Sequence, residues 1–305
     1  MRVMRHDDIS AGLRLCRQAN WNQVAADWDF FLASSPAGCR VATDDAGHIV
    51  GSVATIEYGD AFSWIAMVLV DPQHRRAGIG TRLLTEALDM LGDGITARLD
   101  ATPAGREVYL RLGFREEYGL QRMVRPVDAN PGRVRLSAVA REKQASSGET
   151  RRSPGEGGQP DPLVHQMTDA DFDEIPVQDR GVFGGDRRAL LGMCRHEAPE
   201  YGLTTTSGDG HIDGYLFGRH GHSFEQIGPL VARDEPAARR LVAACLSAHT
   251  DRPFIIDVPL RKSWIAWLES AGFTLQRPFT RMRRGERRYD ECVERMFAIA
   301  GPEFG

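Results

Sequence analysis

Between residues 68 and 88 the chain reads VLVDPQHRRAGIGTRLLTEAL. A strand-like run ends at Asp71-Pro72. Then Arg75, Arg76, Ala77, Gly78, Ile79 and Gly80 lead through Thr81 into a helical pattern. Glycines at 78 and 80 let the backbone approach a ligand closely, because no Cβ intrudes. A helix N-terminus offers free N–H groups and the positive end of its dipole, which suits a pyrophosphate. Arg75 and Arg76 add charge and forked donors. A plain glycine turn with two solvated arginines shares some of these features, but the order of strand, basic pair, glycines and helix favours anion binding. A Walker A loop would need Gly-Lys-Ser/Thr, which is absent. A dinucleotide fingerprint would need a third glycine where Leu83 stands. Downstream, Tyr109 opens a Tyr-x-x-Leu-Gly-Phe run ending at Phe114. Its phenol is a competent proton donor; beside Val108 and Leu112 it also reads as a core aromatic of an amphipathic helix.

The elements that must position these residues are legible locally. Helices are predicted over 9–18, within 20–33, over 79–91 and over 104–112, the last closed by Gly113. In the third, Leu83, Leu84, Leu88 and Leu91 recur at helical spacing. Strands are predicted over 39–43, 49–58, 64–70 and 96–100, the first two joined by Asp44-Asp45-Ala46-Gly47. Alternation of strand and helix at this spacing predicts an α/β (α+β) fold with a mixed sheet.

The chain has 305 residues, enough for two domains of ordinary size. From Ala140 to Pro162 it lacks aromatic and branched aliphatic residues, and cannot bury enough apolar area to offset its ordering entropy. A flexible linker is therefore predicted, over 127–162, between a first domain at 1–126 and a second at 163–305. The halves repeat one another. Gly113-Phe114, seven residues and Arg122-Met123 recur as Gly272-Phe273, seven residues and Arg281-Met282. ARLDATP (97–103) likewise matches FIIDVP (254–259).

With 38 basic and 42 acidic residues the formal charge is −4, which argues against a nucleic-acid partner. No apolar run approaches the roughly 18 residues of a membrane span, and the start has no secretory h-region. Five scattered cysteines, Cys16, Cys39, Cys194, Cys245 and Cys292, form no metal or disulfide pattern. They read as free thiols of a cytoplasmic protein, and no metal is expected.

R-x-x-G-x-G after V-x-V-D-P, followed by A-T-P-x-x-x-x-x-Y-x-x-L-G-F, resembles the GNAT superfamily of acyl-CoA-dependent N-acyltransferases. The resemblance covers residues 1–126 well and the second half weakly, so the whole looks like two tandem GNAT-like units. It implies acetyl-CoA as cosubstrate, with the pantetheine arm along Met67, Val68 and Val70. It places the pyrophosphate on Arg75, Arg76, Ala77, Gly78, Ile79, Gly80 and Thr81, and Tyr109 near the thioester sulfur as general acid. It implies transfer to a primary amine of a small molecule by direct attack. A non-catalytic acyl-CoA sensor and a protein-lysine acetyltransferase are the alternatives.

An alkylamine of pKa about 10.4 is neutral in roughly one molecule of 2,500 at pH 7, so help in deprotonation is expected. Several superfamily members carry a glutamate where this chain has Trp64. Glu57 on the preceding strand, Asp257 from the second half and a water chain are the candidate substitutes. Trp21 and Asn22, within Asn20-Trp21-Asn22-Gln23, border the acceptor pocket by the same resemblance, or cap and pack a helix. In the second half Asp234 and Glu235 replace the glycine loop, and carboxylates there would repel a pyrophosphate. That half is therefore expected to cover the acceptor pocket or to form a homodimer rather than to bind CoA.

Overall fold

The computed structural model describes residues 1–92, 94–127, 163–208, 210–286 and 289–305. All but the first residue of the expected linker lies outside the described residues. The first half runs β1 (Arg2–Val3), α1 (Ile9–Gln18), α2 (Ala25–Ser34), β2 (Arg40–Thr43), β3 (Ile49–Glu57) and β4 (Ser63–Val70). It continues with α3 (Ile79–Leu91), β5 (Ala97–Ala101), α4 (Pro103–Arg111) and β6 (Arg115–Arg125). Leu83, Leu84, Leu88 and Leu91 of α3 are all buried, as their spacing predicts. Thr102 caps α4 by accepting the Gly105 N–H at 3.2 Å, and Gly113 ends the helix with φ +84.

The second half begins with β7 (Val164–Gln166), α5 (Asp169–Phe183), α6 (Arg188–Glu197), β8 (Leu203–Thr206), β9 (Ile212–Arg219) and β10 (Glu225–Ala232). Then come α7 (Glu235–Ala248), β11 (Phe254–Pro259), α8 (Lys262–Ser270), β12 (Thr274–Arg284) and β13 (Met296–Ala298). Its order from β8 to β12 repeats that of the first half from β2 to β6. Among the described residues the strands form one mixed sheet, ordered β1-β2-β3-β4-β5-β12-β6-β11-β10-β9-β8-β7, with β13 on β10.

That order contains an exchange. Strands β6 and β12, eleven residues each, are the repeated Gly-Phe…Arg-Met segments. Each lies between its equivalent in the other half and the other half's last parallel strand: β12 pairs with β5, and β6 with β11. Opposite each other in register stand Arg281 and Asp100, and, in the equivalent place, Arg122 and Asp257. Arg281 binds Asp100 bidentately at 2.8 and 2.9 Å, with both side chains fully buried. Arg122 binds Asp257 at 2.7 and 2.8 Å.

Removing one partner of a buried ion pair strands the other charge in a low dielectric, at a cost of about 3–5 kcal/mol. Arg281→Leu also leaves Glu291 without its 3.2 Å contact to Arg281. We expect that variant to lose about 3–5 kcal/mol in denaturant unfolding. A loss of under about 1 kcal/mol, the range of an exposed pair, would show that the cross-half pairs do not hold the exchange.

Candidate active site

Strand β4 pairs with β5 only at Ser63–Ala97 and Trp64–Arg98, and beyond Trp64 the two part. The cause lies in β4 itself. Its register with β3 shifts between Ser52 and Ala54, and Met67 adopts φ +55, an uncommon conformation for a side-chain-bearing residue. The Ser52 hydroxyl holds the bulge by donating to the Met67 carbonyl at 2.8 Å. From Ile65 onward the β4 edge facing β5 therefore has no ladder partner on that strand. Met67 and Val68 face a cavity there, with Leu99, Asp100 and Thr102 from the β5 side and Tyr109 from α4. Val70 stands at the end of β4, where it leads into the loop.

The corner after β4 is pinned by Asp71. Its carboxylate accepts the Gln73 N–H at 3.0 Å, Arg14 at 2.7 Å and Gln18 at 3.1 Å. Those donors, the Gln73 amide first and then Arg14 and Gln18, hold its carboxyl at about 2. Beyond it Arg75, Arg76, Ala77, Gly78 and Thr81 are exposed, and Ile79 and Gly80 are half-buried. Gly78 is the N-cap of α3 with φ +76, and no side chain caps the helix. The first-turn N–H groups are thus presented outward. A Cβ on Gly78 would meet nothing within 4 Å, so the glycine serves the left-handed turn and whatever docks outside it. An uncapped thirteen-residue helix, two adjacent arginines and an unpaired strand edge fit a pyrophosphate with an extended arm.

Tyr109 joins the cavity where the β4 edge opens. Its ring packs on Phe114 at 5.8 Å between centroids, so it is also part of the helix packing. Burial raises its pKa to about 12, which keeps the phenol protonated at neutral pH. Among the described residues its hydroxyl has no hydrogen-bond partner.

The opposite wall is assembled from both halves. Trp21 and Gln23 come from the loop between α1 and α2, Arg122 from β6, and Arg277 and Phe279 from β12. Pro302 and Glu303 follow β13. The segment from 299 to 305 is anchored through its carbonyls. Trp64 donates to Pro302 at 3.0 Å, Tyr58 to Phe304 at 2.6 Å and Arg187 to Gly305 at 3.0 Å. Glu303 is buried, and its Oε1 takes a charged hydrogen bond from Arg219, which also binds Asp27. Burial raises Asp27 to about 6 against the pull of Arg219, and the Glu303 charge adds to that rise.

Three sequence expectations need correction. Glu57 pairs with Ser63 at the outer end of β3, is exposed, and lies outside the cavity lining. The strands part at the other end of β4, so this carboxylate stands away from the opening. Asp257 also lies outside the lining; its carboxylate binds Arg122 and accepts Gln226 at 3.2 Å. Asn22 turns away from the cavity to tie the halves together. It donates to the Phe224 carbonyl at 2.8 Å and accepts the Ser223 and Phe224 N–H groups at 2.8 and 3.1 Å. Trp21 does line the cavity, beside Gln23. Sequence reasoning missed Glu303; the apolar run MFAIAGPEF, which continues past the repeated unit, was its one signal.

Among the described residues the second unit has no equivalent opening. Strand β10 pairs in parallel with β11 at three positions, then shifts register between Ile227 and Leu230. Beyond the shift β13 pairs with β10 at Leu230 and Val231, and the Ile299 N–H donates to the Asp257 carbonyl at 2.9 Å. The chain fills its own gap. At the head of α7 the Asp234 carboxylate accepts the Ala237 N–H at 2.9 Å, occupying the place where an anion would sit.

Residues 175–298 match a family described as an acetyltransferase (GNAT) domain, and residues 35–116 match a second family with the same description. The chain is 23% identical over 261 residues to the uncharacterized N-acetyltransferase YitH of Bacillus subtilis, covering 84% of this chain and 80% of the relative. It is 26% identical over 296 residues to the holothin acyltransferase of a Pseudoalteromonas species, covering 92% and 88%. A putative acetyltransferase from Pyrococcus horikoshii shares the fold with a TM-score of 0.74 at 20% identity, over 100% of this chain and 95% of that one.

Proposed function

From a chain that carries two GNAT acetyltransferase domains in tandem, we propose an enzyme whose first domain moves an acetyl group from acetyl-CoA to a primary amine of a small molecule. The observation that carries this reading is the continuous path from the uncapped α3 N-terminus, along the unpaired β4 edge, to Tyr109 and the two-sided cavity. The second domain supplies walls of that cavity instead of a second site.

Acetyl-CoA supplies the thioester carbonyl. The protein's part is to orient and to move protons. The loop N–H groups with Arg75 and Arg76 hold the pyrophosphate, and the β4 edge at Met67, Val68 and Val70 holds the arm. A β4 N–H, that of Val68, polarises the carbonyl. Two carboxylates face the cavity. Asp100 is taken bidentately by Arg281, whereas Arg219 takes only Oε1 of Glu303. Glu303 is therefore the base. An amine nitrogen becomes strongly acidic as its bond to carbon forms, so a carboxylate can accept its proton at that stage. The C–N bond forms, the C–S bond breaks, and Tyr109 gives its proton to the departing sulfur.

Enclosure by Trp21, Phe279 and Pro302 favours a small acceptor over a folded protein's lysine. The relative named for acyl transfer to holothin supports an acceptor outside proteins. The test is acetyl-CoA-dependent thiol release across a panel of small amines and lysine peptides. Small amines are expected to turn over; release with lysine peptides alone, or with nothing in the panel, would overturn the reading.

A further inference from the structure

Four charged side chains line the acceptor cavity, and three are matched inside the protein. Asp100 has Arg281, Arg122 has Asp257, and Glu303 shares Arg219 with Asp27. Arg277 on β12 is the exception. Among the described residues it has no carboxylate partner, and its Nε is buried without a hydrogen bond. Its neighbour directly across the ladder is Arg122, a like charge. Both guanidinium carbons lie over the Phe279 ring, at 5.2 and 5.4 Å from its centroid. Burial, and then the Arg122 charge, pull the Arg277 pKa down to about 10, the sign of a cation that lacks its anion. A second unmet group shares the cavity. Gln23 is 3% exposed, and its amide oxygen is buried without a donor.

We propose that the acceptor amine carries a carboxylate, seated on Arg277 between the two guanidinium groups, while the Gln23 amide oxygen accepts an N–H from the same molecule. This rests on the acetyl-transfer reading of the same cavity. One guanidinium without an ion-pair partner among the described residues offers a seat for one carboxylate. A phosphate dianion would add charge beside Asp100 and Glu303, which a single arginine does not balance. A guanidinium fork fits a carboxylate bidentately, and hydrogen bonds of that charged kind are worth a tenfold preference or more.

The test uses matched pairs that differ only by the carboxylate: phenylalanine and phenethylamine, lysine and cadaverine, β-alanine and ethylamine. Binding is measured by calorimetry on the full chain with CoA present, and turnover by thiol release, in wild type, Arg277→Gln and Arg277→Lys. At least one acid is expected to bind about tenfold or more tighter than its amine partner. Arg277→Gln should erase that preference, Arg277→Lys should restore part of it, and the KM for acetyl-CoA should not change. Equal binding within every pair, no binding by either series, or a preference that survives Arg277→Gln would overturn the proposal. So would an Arg277→Gln effect confined to acetyl-CoA. An Arg277-dependent preference for acids without thiol release from any pair would instead refute the acetyl-transfer reading and leave the anion seat standing.

Discussion

Tyr109→Phe is expected to lower kcat by on the order of 10²–10⁴, the contribution of a positioned general acid. The change removes one hydroxyl and keeps the ring on Phe114, so packing is preserved. The hydroxyl makes no protein hydrogen bond among the described residues, so no buried partner is orphaned by its loss. Acetyl-CoA affinity and Tm should therefore stay close to wild type, because the hydroxyl acts only as sulfur departs. A lower Tm with normal turnover would make Tyr109 a packing residue of α4. Unchanged values of both would leave it with neither role.

Glu303→Gln is the second large effect expected, again on the order of 10²–10⁴ in kcat. The amide keeps an oxygen for Arg219 and loses the capacity to take a proton at neutral pH. Its charge is also one of the causes that raise Asp27, so the variant should let the Asp27 pKa fall from about 6 and leave Tm near wild type. Glu303→Asp should recover part of the activity, since the charge remains. A drop in Tm with kcat retained would mean that Glu303 only anchors the 299–305 segment through Arg219. Neutral behaviour in both would return the base to a water chain.

The sequence disclosed most of the first half, because its signals are local. Helical spacing of leucines in α3, the Gly113 stop and the hairpin turn before β3 act within a few residues. The glycine turn at Gly78 that opens α3 was legible for the same reason. The exchange of β6 and β12 was not, since which edge a strand joins depends on partners more than a hundred residues away. A trace existed all the same. Arg122 and Arg281 recur at one repeat position, and Asp100 and Asp257 at another. Buried in the sheet, such a set must pair, and it pairs across the halves. Glu57 misled because strand position alone does not say at which end of β4 the strands part. That end is set by the Met67 bulge, and a positive φ at a methionine has no sequence signature. Glu303 was hidden because its segment has no counterpart in the first half, so the repeat gave it no role.

One chain should therefore hold one acetyl-CoA, in the opening between β4 and β5, because β13 fills the corresponding opening beside β10. Calorimetric titration of acetyl-CoA into wild type and Gly78→Val tests this directly. Valine at φ +76 distorts the loop, while the open space around that position spares the core. One site per chain, with binding abolished or severely weakened in Gly78→Val, is the predicted result. Two sites per chain, or one site whose affinity Gly78→Val leaves unchanged, would contradict it.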